Sequence, residues 1–148
     1  QVARPKDTVW AFCGDGGFQM TLQELALCTE YELPVKFAII NNNYLGMVRQ
    51  WQDLFYEGNK QSVRMFQPDF VKIAEAMGIT GIRVSEKSMV ESSIEAALRH
   101  PGAVLIDFQV EEAEDCFPMM PPGVSLSDTI DQPKIEERQR AAAGRGAR

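Results

Sequence analysis

The sequence predicts an α/β domain: a doubly wound, mostly parallel sheet with helices on both faces. Strand-like apolar runs alternate with helix-like patterns along the chain. The last run, Ala103 to Val110, is almost uninterrupted, which is typical of a strand buried on both faces of its sheet. The 148 residues suffice for one domain with a sizeable core. We place that domain at residues 1–131 and a flexible, charged tail at 132–148.

The first half of the domain contains two predicted strands joined by a helix. The strands are Thr8 to Cys13 and Val35 to Ile40. Parallel neighbours need a crossover of a dozen residues or more, and residues 21–31 can supply its helix. Thr21 and Glu24 have the spacing of a capping box. The predicted inward face consists of Leu22, Leu25, Ala26 and Thr29.

The next segment is predicted to be a loop that leads into a short helix, Asn43 to Tyr56, followed by a mobile loop, Glu57 to Gln67. A helix starting at Pro68 and stopping at Gly78 follows. Its predicted inward face is Phe70, Ile73, Ala74 and Met77.

Two more strands complete the predicted sheet. Thr80 to Val84 is the third, and Ala103 to Val110 is the fourth. Between them, Ser88 and Glu91 have capping-box spacing, and Pro101-Gly102 ends the helix. The inward face of this helix is expected to be Val90, Ile94, Ala97 and Leu98.

Oxygen-bearing side chains follow the first two predicted strands. Asp15 lies in a Gly-Asp-Gly triplet, and Asn42 lies in the Asn-Asn-Asn triplet after the second strand. Carboxyl ends of parallel strands share one edge of the sheet, where ligands bind. A carboxylate and an amide oxygen are hard ligands suited to Mg²⁺ and the diphosphate that it neutralises. Asn41 and Asn43 are alternative candidates for the amide ligand. An isolated Gly-Asp-Gly triplet is also common in surface turns, where Asp15 would be solvated.

The glycines around Asp15 suggest close approach of the backbone to a ligand. Gly14, Gly16 and Gly17 permit positive φ angles, and the helix expected after them offers free N–H groups to an anion.

Several motifs together resemble the C-terminal, diphosphate-binding domain of acetolactate synthase catalytic subunits. They run from residue 14 to 123, and the likeness covers residues 2 to about 130. The motifs are Gly14-Asp15-Gly16-Gly17-Phe18-Gln19-Met20, Gln23-Glu24-Leu25-Ala26, Leu33-Pro34-Val35-Lys36, Leu45-Gly46-Met47-Val48-Arg49-Gln50-Trp51-Gln52, Pro68-Asp69-Phe70-Val71-Lys72 and Pro118-Met119-Met120-Pro121-Pro122-Gly123. The Gly-Met-Val-x-Gln-Trp stretch distinguishes this family from other thiamine-diphosphate enzymes.

The resemblance implies roles for individual residues. Mg²⁺ would be held by the Asp15 carboxylate, the Asn42 side-chain oxygen and the Tyr44 carbonyl. The cofactor thiamine diphosphate would contact a larger set, which includes backbone N–H groups of residues 16–18. That set is Gly14, Asp15, Gly16, Gly17, Phe18, Asn42, Tyr44, Gly46 and Met47.

A substrate pocket is implied at Met47, Val48 and Trp51. Met47 and Trp51 are four residues apart and share a helix face. Such a pair usually packs in a core, which is the alternative interpretation. In the family, these positions lie at the mouth of the active site, where the tryptophan shapes the pocket for the second 2-keto acid and for herbicides.

The resemblance also implies what lies elsewhere. The parent enzyme condenses two 2-keto acids, pyruvate with pyruvate or 2-ketobutyrate, with loss of CO₂. Its activating glutamate comes from an N-terminal domain, and FAD is bound mainly by a middle domain. Neither domain is present in this sequence, so no catalytic residue is assigned and the chain alone is expected to be inactive. A homo-oligomer, with a possible regulatory subunit, is implied.

Composition excludes some classes of partner. The net charge of −6 argues against nucleic acid, and the apolar runs are too short to span a membrane. The three cysteines show no metal-ligand spacing and suggest a reducing compartment. We therefore expect a cytoplasmic protein, or a plastid one if the source is a plant. The chain begins with Gln1 and shows no secretory leader, which we interpret as a piece of a longer polypeptide.

Two alternatives remain open from the sequence. One is another thiamine-diphosphate enzyme, such as a pyruvate oxidase, a glyoxylate carboligase or a 2-keto-acid decarboxylase. The other is a non-catalytic module that binds the cofactor. A nicotinamide-binding Rossmann domain is disfavoured, because the chain has no Gly-x-Gly-x-x-Gly motif.

Overall fold

The computed structural model of the protein describes residues 1–131. Strands and helices alternate along most of that length. The elements are β1 (Trp10–Gly14), α1 (Asp15–Gln19), a 3₁₀ turn (Leu22–Glu24), α2 (Leu25–Glu30), β2 (Lys36–Asn41), α3 (Gly46–Phe55), α4 (Phe70–Ala76), β3 (Thr80–Val84), a 3₁₀ turn (Lys87–Met89), α5 (Val90–Arg99), β4 (Val104–Gln109) and a 3₁₀ turn (Leu126–Asp128). All four predicted strands are present within one or two residues of their expected limits.

The four strands form one parallel sheet in the order β1-β2-β4-β3. The register pairs Gly14 with Ile40 across β1 and β2, and Asn41 with Gln109 across β2 and β4. The carboxyl ends of the strands therefore lie along one edge, which confirms the predicted parallel arrangement.

Helices cover both faces of the sheet, as predicted. Ile39 and Leu105 lie in a buried cluster with residues of α1, α2 and α4, among them Phe70. The alternate residues of β4, Val104 and Ile106, pack in a second cluster with Ala97 of α5 and others. Successive strand residues point to opposite faces. The unbroken apolar pattern of β4 thus reflects two covered faces.

Both predicted capping boxes are wrong. Thr21 makes no side-chain capping hydrogen bond and precedes a 3₁₀ turn rather than an α-helix. The Ser88 hydroxyl donates to the Glu86 carboxylate at 3.4 Å, within another 3₁₀ turn. In both places the chain makes a tighter turn first. As a result α2 starts three residues later than the sequence spacing indicated, and α5 starts one residue later.

That tighter turn also changes which residues face inward. Residues advance about 120° each in a 3₁₀ turn and about 100° in an α-helix, so a leading turn rotates the face that follows. In α2, Leu25 and Cys28 are buried while the predicted Ala26 and Thr29 are exposed. In α5, Ser93 is buried with Ala97, whereas the predicted Leu98 is 51% exposed.

Helix α4 agrees with its prediction, apart from a start two residues later. Asp69 caps it, because its side chain accepts a hydrogen bond from the Lys72 N–H. Phe70 and Ala74 are completely buried. Gly78 has φ of +76° just past the helix end, a conformation that glycine adopts without strain.

The chain divides into two compact units, residues 1–114 and a segment that begins at Asp115. Within the second, Met119 and Ile130 form an antiparallel bridge, and Ser125 and Asp128 form a capping box around the last 3₁₀ turn. The predicted domain limit at 131 stays a prediction, and the predicted tail, 132–148, lies outside the described residues. Across residues 1–131, every helix is too short or too polar to cross a bilayer.

Candidate cofactor site

Asp15 and Asn42 leave adjacent strands at the same edge of the sheet. Because Gly14 pairs with Ile40, Asp15 follows the end of β1 directly and Asn42 lies just beyond the end of β2. Asp15 opens α1 with no intervening loop, whereas the sequence suggested a helix only from Thr21. Glycine is a poor helix former, so the Gly-rich segment gave no signal for this short helix.

The Asp15 carboxylate is buried, and each of its oxygens accepts a hydrogen bond. Asp15 is only 2% exposed, which contradicts the alternative of a solvated surface turn. Its Oδ1 accepts a hydrogen bond from the Gly16 N–H at 2.7 Å. Its Oδ2 accepts one from the Gln67 side-chain amide, also at 2.7 Å. The carboxylate is therefore held in one orientation by donors on both oxygens.

Burial raises the pKa of Asp15 above its usual value, and the nearby Asp107 carboxylate adds to the rise. Backbone N–H groups of Gly16, Asn43 and Asn42 act in the opposite direction. The net shift shows that desolvation of the charged form outweighs those donors. A divalent cation beside the carboxylate would offset this cost, so the site suits a bound metal.

The three asparagines after β2 have different surroundings. The Asn41 side chain is buried and donates to Asp107 at 3.0 Å. Asn43 donates to Glu112 at 3.0 Å. The Asn42 side-chain oxygen instead accepts the Tyr44 N–H at 3.1 Å and so stays within the loop. This arrangement favours Asn42 over its two neighbours as the amide ligand.

Gly14, Gly16 and Gly17 do not use the positive φ angles that glycine permits. In residues 1–131 the glycines with positive φ are Gly58, Gly78 and Gly123. The requirement at Gly16 is close packing instead. A Cβ atom there would lie 2.9 Å from a methyl carbon of Leu45 and 2.9 Å from the Met65 sulfur. The first turn of α1 thus fits against the segments after β2 and before α4.

Gly46 provides space for the Asn42 side chain. A Cβ at Gly46 would lie 3.1 Å from the Asn42 Nδ2. We expect Gly46→Ala to displace this amide and to weaken Mg²⁺-dependent binding of thiamine diphosphate by about threefold to tenfold, roughly 0.7–1.4 kcal/mol. Calorimetric titration of the full-length protein measures this. Gly102→Ala is the matched control, since a Cβ there would also lie close to a side chain, 3.2 Å from the His100 Cε1, but away from this site. Equal losses in both variants would contradict the steric explanation.

Helix α3 has an inverted polarity. Arg49 and Gln50 are 3% and 1% exposed, whereas Met47 and Val48 are 52% and 47% exposed. The Arg49 guanidinium donates to the Glu114 carbonyl at 3.0 Å and lies 5.5 Å from the centre of the Tyr44 ring. The exposure of Met47 contradicts the core-packing alternative for the Met47–Trp51 pair.

The exposed face of α3 forms a shallow apolar pocket. Met47, Val48 and Trp51 line it together with Gln52 and Tyr56. The Trp51 ring also packs edge-on against Phe55, with 5.3 Å between ring centres. All three predicted substrate-pocket residues therefore border one surface.

Gln67 and Asp107 also belong to this site, although no sequence pattern predicts them. Gln67 closes a loop that lacks periodicity, and Asp107 lies inside an apolar strand. Asp107 is 1% exposed, receives the Asn41 amide and lies 3.5 Å from the Arg83 Nε. These contacts span 52 and 66 residues, so no local pattern signals them.

A metal at this site would need few protein carboxylates. Residues 1–131 contain no group of three or more His, Cys, Asp or Glu side chains placed to hold an ion. One carboxylate, an amide oxygen, a backbone carbonyl and ligand phosphates are the set that Mg²⁺ commonly takes. The residues around Asp15 fit that chemistry.

The fold and this sheet edge define the class of protein. Residues 1–108 match the model of the thiamine pyrophosphate enzyme C-terminal TPP-binding domain, and the chain belongs to that family. A solved structure of the Rhodococcus jostii RHA1 thiamine diphosphate-dependent 4-hydroxybenzoylformate decarboxylase superimposes with a TM-score of 0.69. The two sequences are 26% identical, and the matched region covers 76% of this chain and 22% of the decarboxylase chain.

Curated relatives identify the branch of the family that this chain resembles. The acetolactate synthase large subunit of Pyropia yezoensis is 45% identical over 97% of this chain. Acetolactate synthase isozyme 2 large subunit of Escherichia coli K12 is 40% identical over 89%. The mitochondrial acetolactate synthase catalytic subunit of Saccharomyces cerevisiae is 38% identical over 94%. The chain spans 24%, 24% and 20% of these proteins, respectively, about a quarter of their length or less.

Proposed function

We propose that the full-length protein is an acetolactate synthase and that this domain binds its thiamine diphosphate through Mg²⁺. The enzyme would join pyruvate to a second 2-keto acid, pyruvate or 2-ketobutyrate, with release of CO₂, as in branched-chain amino-acid synthesis. The observation that carries the proposal is the similarity to acetolactate synthase subunits, at up to 45% identity over 97% of this chain.

The Asp15 edge is where the diphosphate would bind. Asp15 would cancel one charge of the cation, Asn42 would contribute its side-chain oxygen, and Tyr44 its carbonyl. Backbone N–H groups of Gly16, Gly17 and Phe18, in the first turns of α1, would face the diphosphate oxygens. Gly14, Gly46 and Met47 would border the cofactor, whose thiazolium ring supplies the electron sink for decarboxylation.

The apolar face of α3 would cover the reacting groups. Met47 and Val48 would exclude water from the pocket, and Trp51 would limit the size of the second keto acid. Exposed apolar surface of this kind is typical of a face that binds a ligand or another chain segment. In the assembled enzyme this surface is also where herbicides would bind.

We expect Trp51→Leu to change acceptor choice more than turnover of the first pyruvate. An apolar pocket distinguishes one methylene by only ~1–3 kcal/mol, so the product ratio should shift by about tenfold or more. The measurement is the ratio of acetolactate to acetohydroxybutyrate formed from pyruvate and 2-ketobutyrate by the full-length enzyme. Leu126→Ala, at a position that is 80% exposed, is the control. An unchanged ratio would contradict the role of Trp51.

Other parts of the assembled enzyme belong to the same proposal. The activating glutamate and an FAD-binding middle domain would lie outside these residues. The enzyme would assemble as a homo-oligomer and bind a regulatory subunit. The relatives are about four times longer than this chain, which leaves room for such domains. A cytoplasmic or plastid location accompanies the proposal, and the chain alone is expected to form no acetolactate.

The deciding experiment uses the full-length protein. Thiamine diphosphate should bind in calorimetric titrations with Mg²⁺ and bind far more weakly without it. Incubation with pyruvate should then yield acetolactate. The structural likeness to a 2-keto-acid decarboxylase makes simple decarboxylation the second candidate. Release of acetaldehyde and CO₂ without acetolactate would favour that candidate, and an absence of cofactor binding would favour a non-catalytic module.

A further inference from the structure

Gln67 joins the loop before α4 to the proposed metal carboxylate. We infer that Gln67 is a positioning residue for Asp15 and that residues 63–67 act as a strap that holds both halves of the metal site in register. This inference rests on the proposed function, because it assigns Gln67 a role in cation binding by Asp15.

The orientation of the Gln67 amide is fixed from both ends. Its Nε2 donates to the Asp15 Oδ2 at 2.7 Å. Its Oε1 accepts a hydrogen bond from the Gln19 Nε2 at 2.9 Å, and the same Gln19 group donates to the Phe66 carbonyl at 3.1 Å. Gln19 follows Asp15 by four residues in α1, so the two share a helix face that Gln67 bridges. The amide therefore presents its N–H to the carboxylate.

The hydrogen bonds leave Asp15 able to bind a cation. Each carboxylate oxygen has about two acceptor positions. The Gly16 N–H occupies one on Oδ1, and the Gln67 amide occupies one on Oδ2. Both donors fix the plane of the carboxylate while a lone pair remains on each oxygen. Side chains that hydrogen-bond to a metal ligand orient that ligand, and the loss of one such side chain lowers metal affinity by roughly 10–100-fold.

The same segment also holds the second half of the site. The Met65 N–H donates to the Asn43 carbonyl at 3.0 Å, and the Leu45 N–H donates to the Val63 carbonyl at 2.9 Å. Tyr44 and Arg64 consequently form an antiparallel bridge. Residues 63–67 thus contact the loop with Asn42 and Tyr44 at one end and Asp15 at the other. The strap thus adds a second connection between the two ligand groups, beside the pairing of β1 with β2.

The test measures metal affinity directly in the full-length protein. Mn²⁺ replaces Mg²⁺ and is titrated in the presence of thiamine diphosphate, with free Mn²⁺ followed by electron paramagnetic resonance. We expect Gln67→Leu, which keeps the side-chain size and removes the amide, to weaken Mn²⁺ binding by about tenfold. Gln61→Leu is the matched control, because Gln61 pairs with Gln52 through its backbone atoms only. It should bind Mn²⁺ like the unmodified protein.

A second readout separates positioning from general stability. Hydrogen exchange of residues 63–67 should accelerate in Asp15→Ala and in Gln67→Leu, because each variant releases the same contact. Exchange in β4, which lies between β2 and β3 in the sheet, should stay unchanged in both. If Gln67→Leu fails to fold, Gln19→Leu takes its place, with an expected loss in Mn²⁺ affinity of about threefold because only the amide orientation is freed.

The outcomes distinguish this inference from the proposed function. Unchanged Mn²⁺ affinity in the folded Gln67→Leu variant would overturn the role of Gln67, and so would unchanged affinity in Gln19→Leu if only that variant folds. The metal site itself would still be supported if Asp15→Ala lowers Mn²⁺ affinity. Equal weakening by Gln67→Leu and Gln61→Leu would also overturn the role of Gln67. Full Mn²⁺ binding by Asp15→Ala would instead refute the metal site and, with it, the proposed function.

Discussion

Asp15→Ala is expected to weaken Mg²⁺-dependent binding of thiamine diphosphate to the full-length protein by roughly 100-fold, or ~2.8 kcal/mol. Asp15 is the one carboxylate among the proposed ligands, and it lies at a buried position where an opposing charge interacts strongly. Asn42→Ala removes a neutral oxygen and leaves the charge balance unchanged. Its loss should be smaller, about tenfold or ~1.4 kcal/mol.

Calorimetry with and without Mg²⁺ measures both variants. Circular dichroism of the metal-free proteins serves as the control for folding, which both substitutions should preserve. Removing Asp15 also removes a carboxylate whose pKa is raised mainly by burial, so the metal-free fold loses no favourable charge there. Equal metal-dependent affinities in the two variants would refute the ranking. If both variants bind thiamine diphosphate with unaltered Mg²⁺-dependent affinity, the diphosphate does not bind at this edge of the sheet.

Phe70→Ala is expected to lower the free energy of unfolding by ~3–5 kcal/mol. Phe70 is 0% exposed in the core cluster below the proposed site. Its ring meets Phe18 edge-on, with 5.6 Å between ring centres, and Phe18 lies in α1 three residues after Asp15. The cavity would therefore open directly beneath the helix that begins with the proposed ligand. Chemical denaturation of the full-length protein, or of its separately unfolding domain, gives the value.

Phe66→Ala is the matched control, because that ring is 87% exposed and its removal should cost less than ~0.5 kcal/mol. A loss below ~1.5 kcal/mol for Phe70→Ala would mean that the cluster relaxes around the cavity. A large loss in stability with unaltered Mg²⁺ affinity in the folded fraction would show that α1 holds its position without Phe70. The site would then depend on the hydrogen bonds of Asp15 rather than on the core.

Local patterns located most of the secondary structure. The four strands and helix α4 lie where apolar periodicity and turn residues predicted them, because each signal depends on neighbours a few residues apart. Gly78 is an example: a residue that adopts positive φ without strain ends a helix in almost any protein. The capping boxes predicted at Thr21 and Ser88 were wrong because a local pattern can fit two kinds of turn. Capping-box spacing does not distinguish an α-helical turn from a 3₁₀ turn.

The polarity of α3 was decided by tertiary structure. Its sequence contains both apolar and charged residues, and helical spacing alone does not say which face turns inward. Arg49 is buried because it donates to the Glu114 carbonyl at 3.0 Å and faces the Tyr44 ring. Met47 and Val48 are left on the outside as a result. The substrate-pocket prediction came from resemblance to a family, and periodicity alone would have placed Met47 in the core.

The sequence by itself determined that a carboxylate and an amide follow consecutive parallel strands, since both the strands and their polar ends are local features. The order β1-β2-β4-β3 and the contacts around Asp15 were decided only by the tertiary structure. Gln67 reaches Asp15 across 52 residues, and Asn41 reaches Asp107 across 66. Such pairs form only after the sheet has chosen its neighbours, because the free energy that brings them together comes from burying the whole core rather than from the residues beside them in the chain.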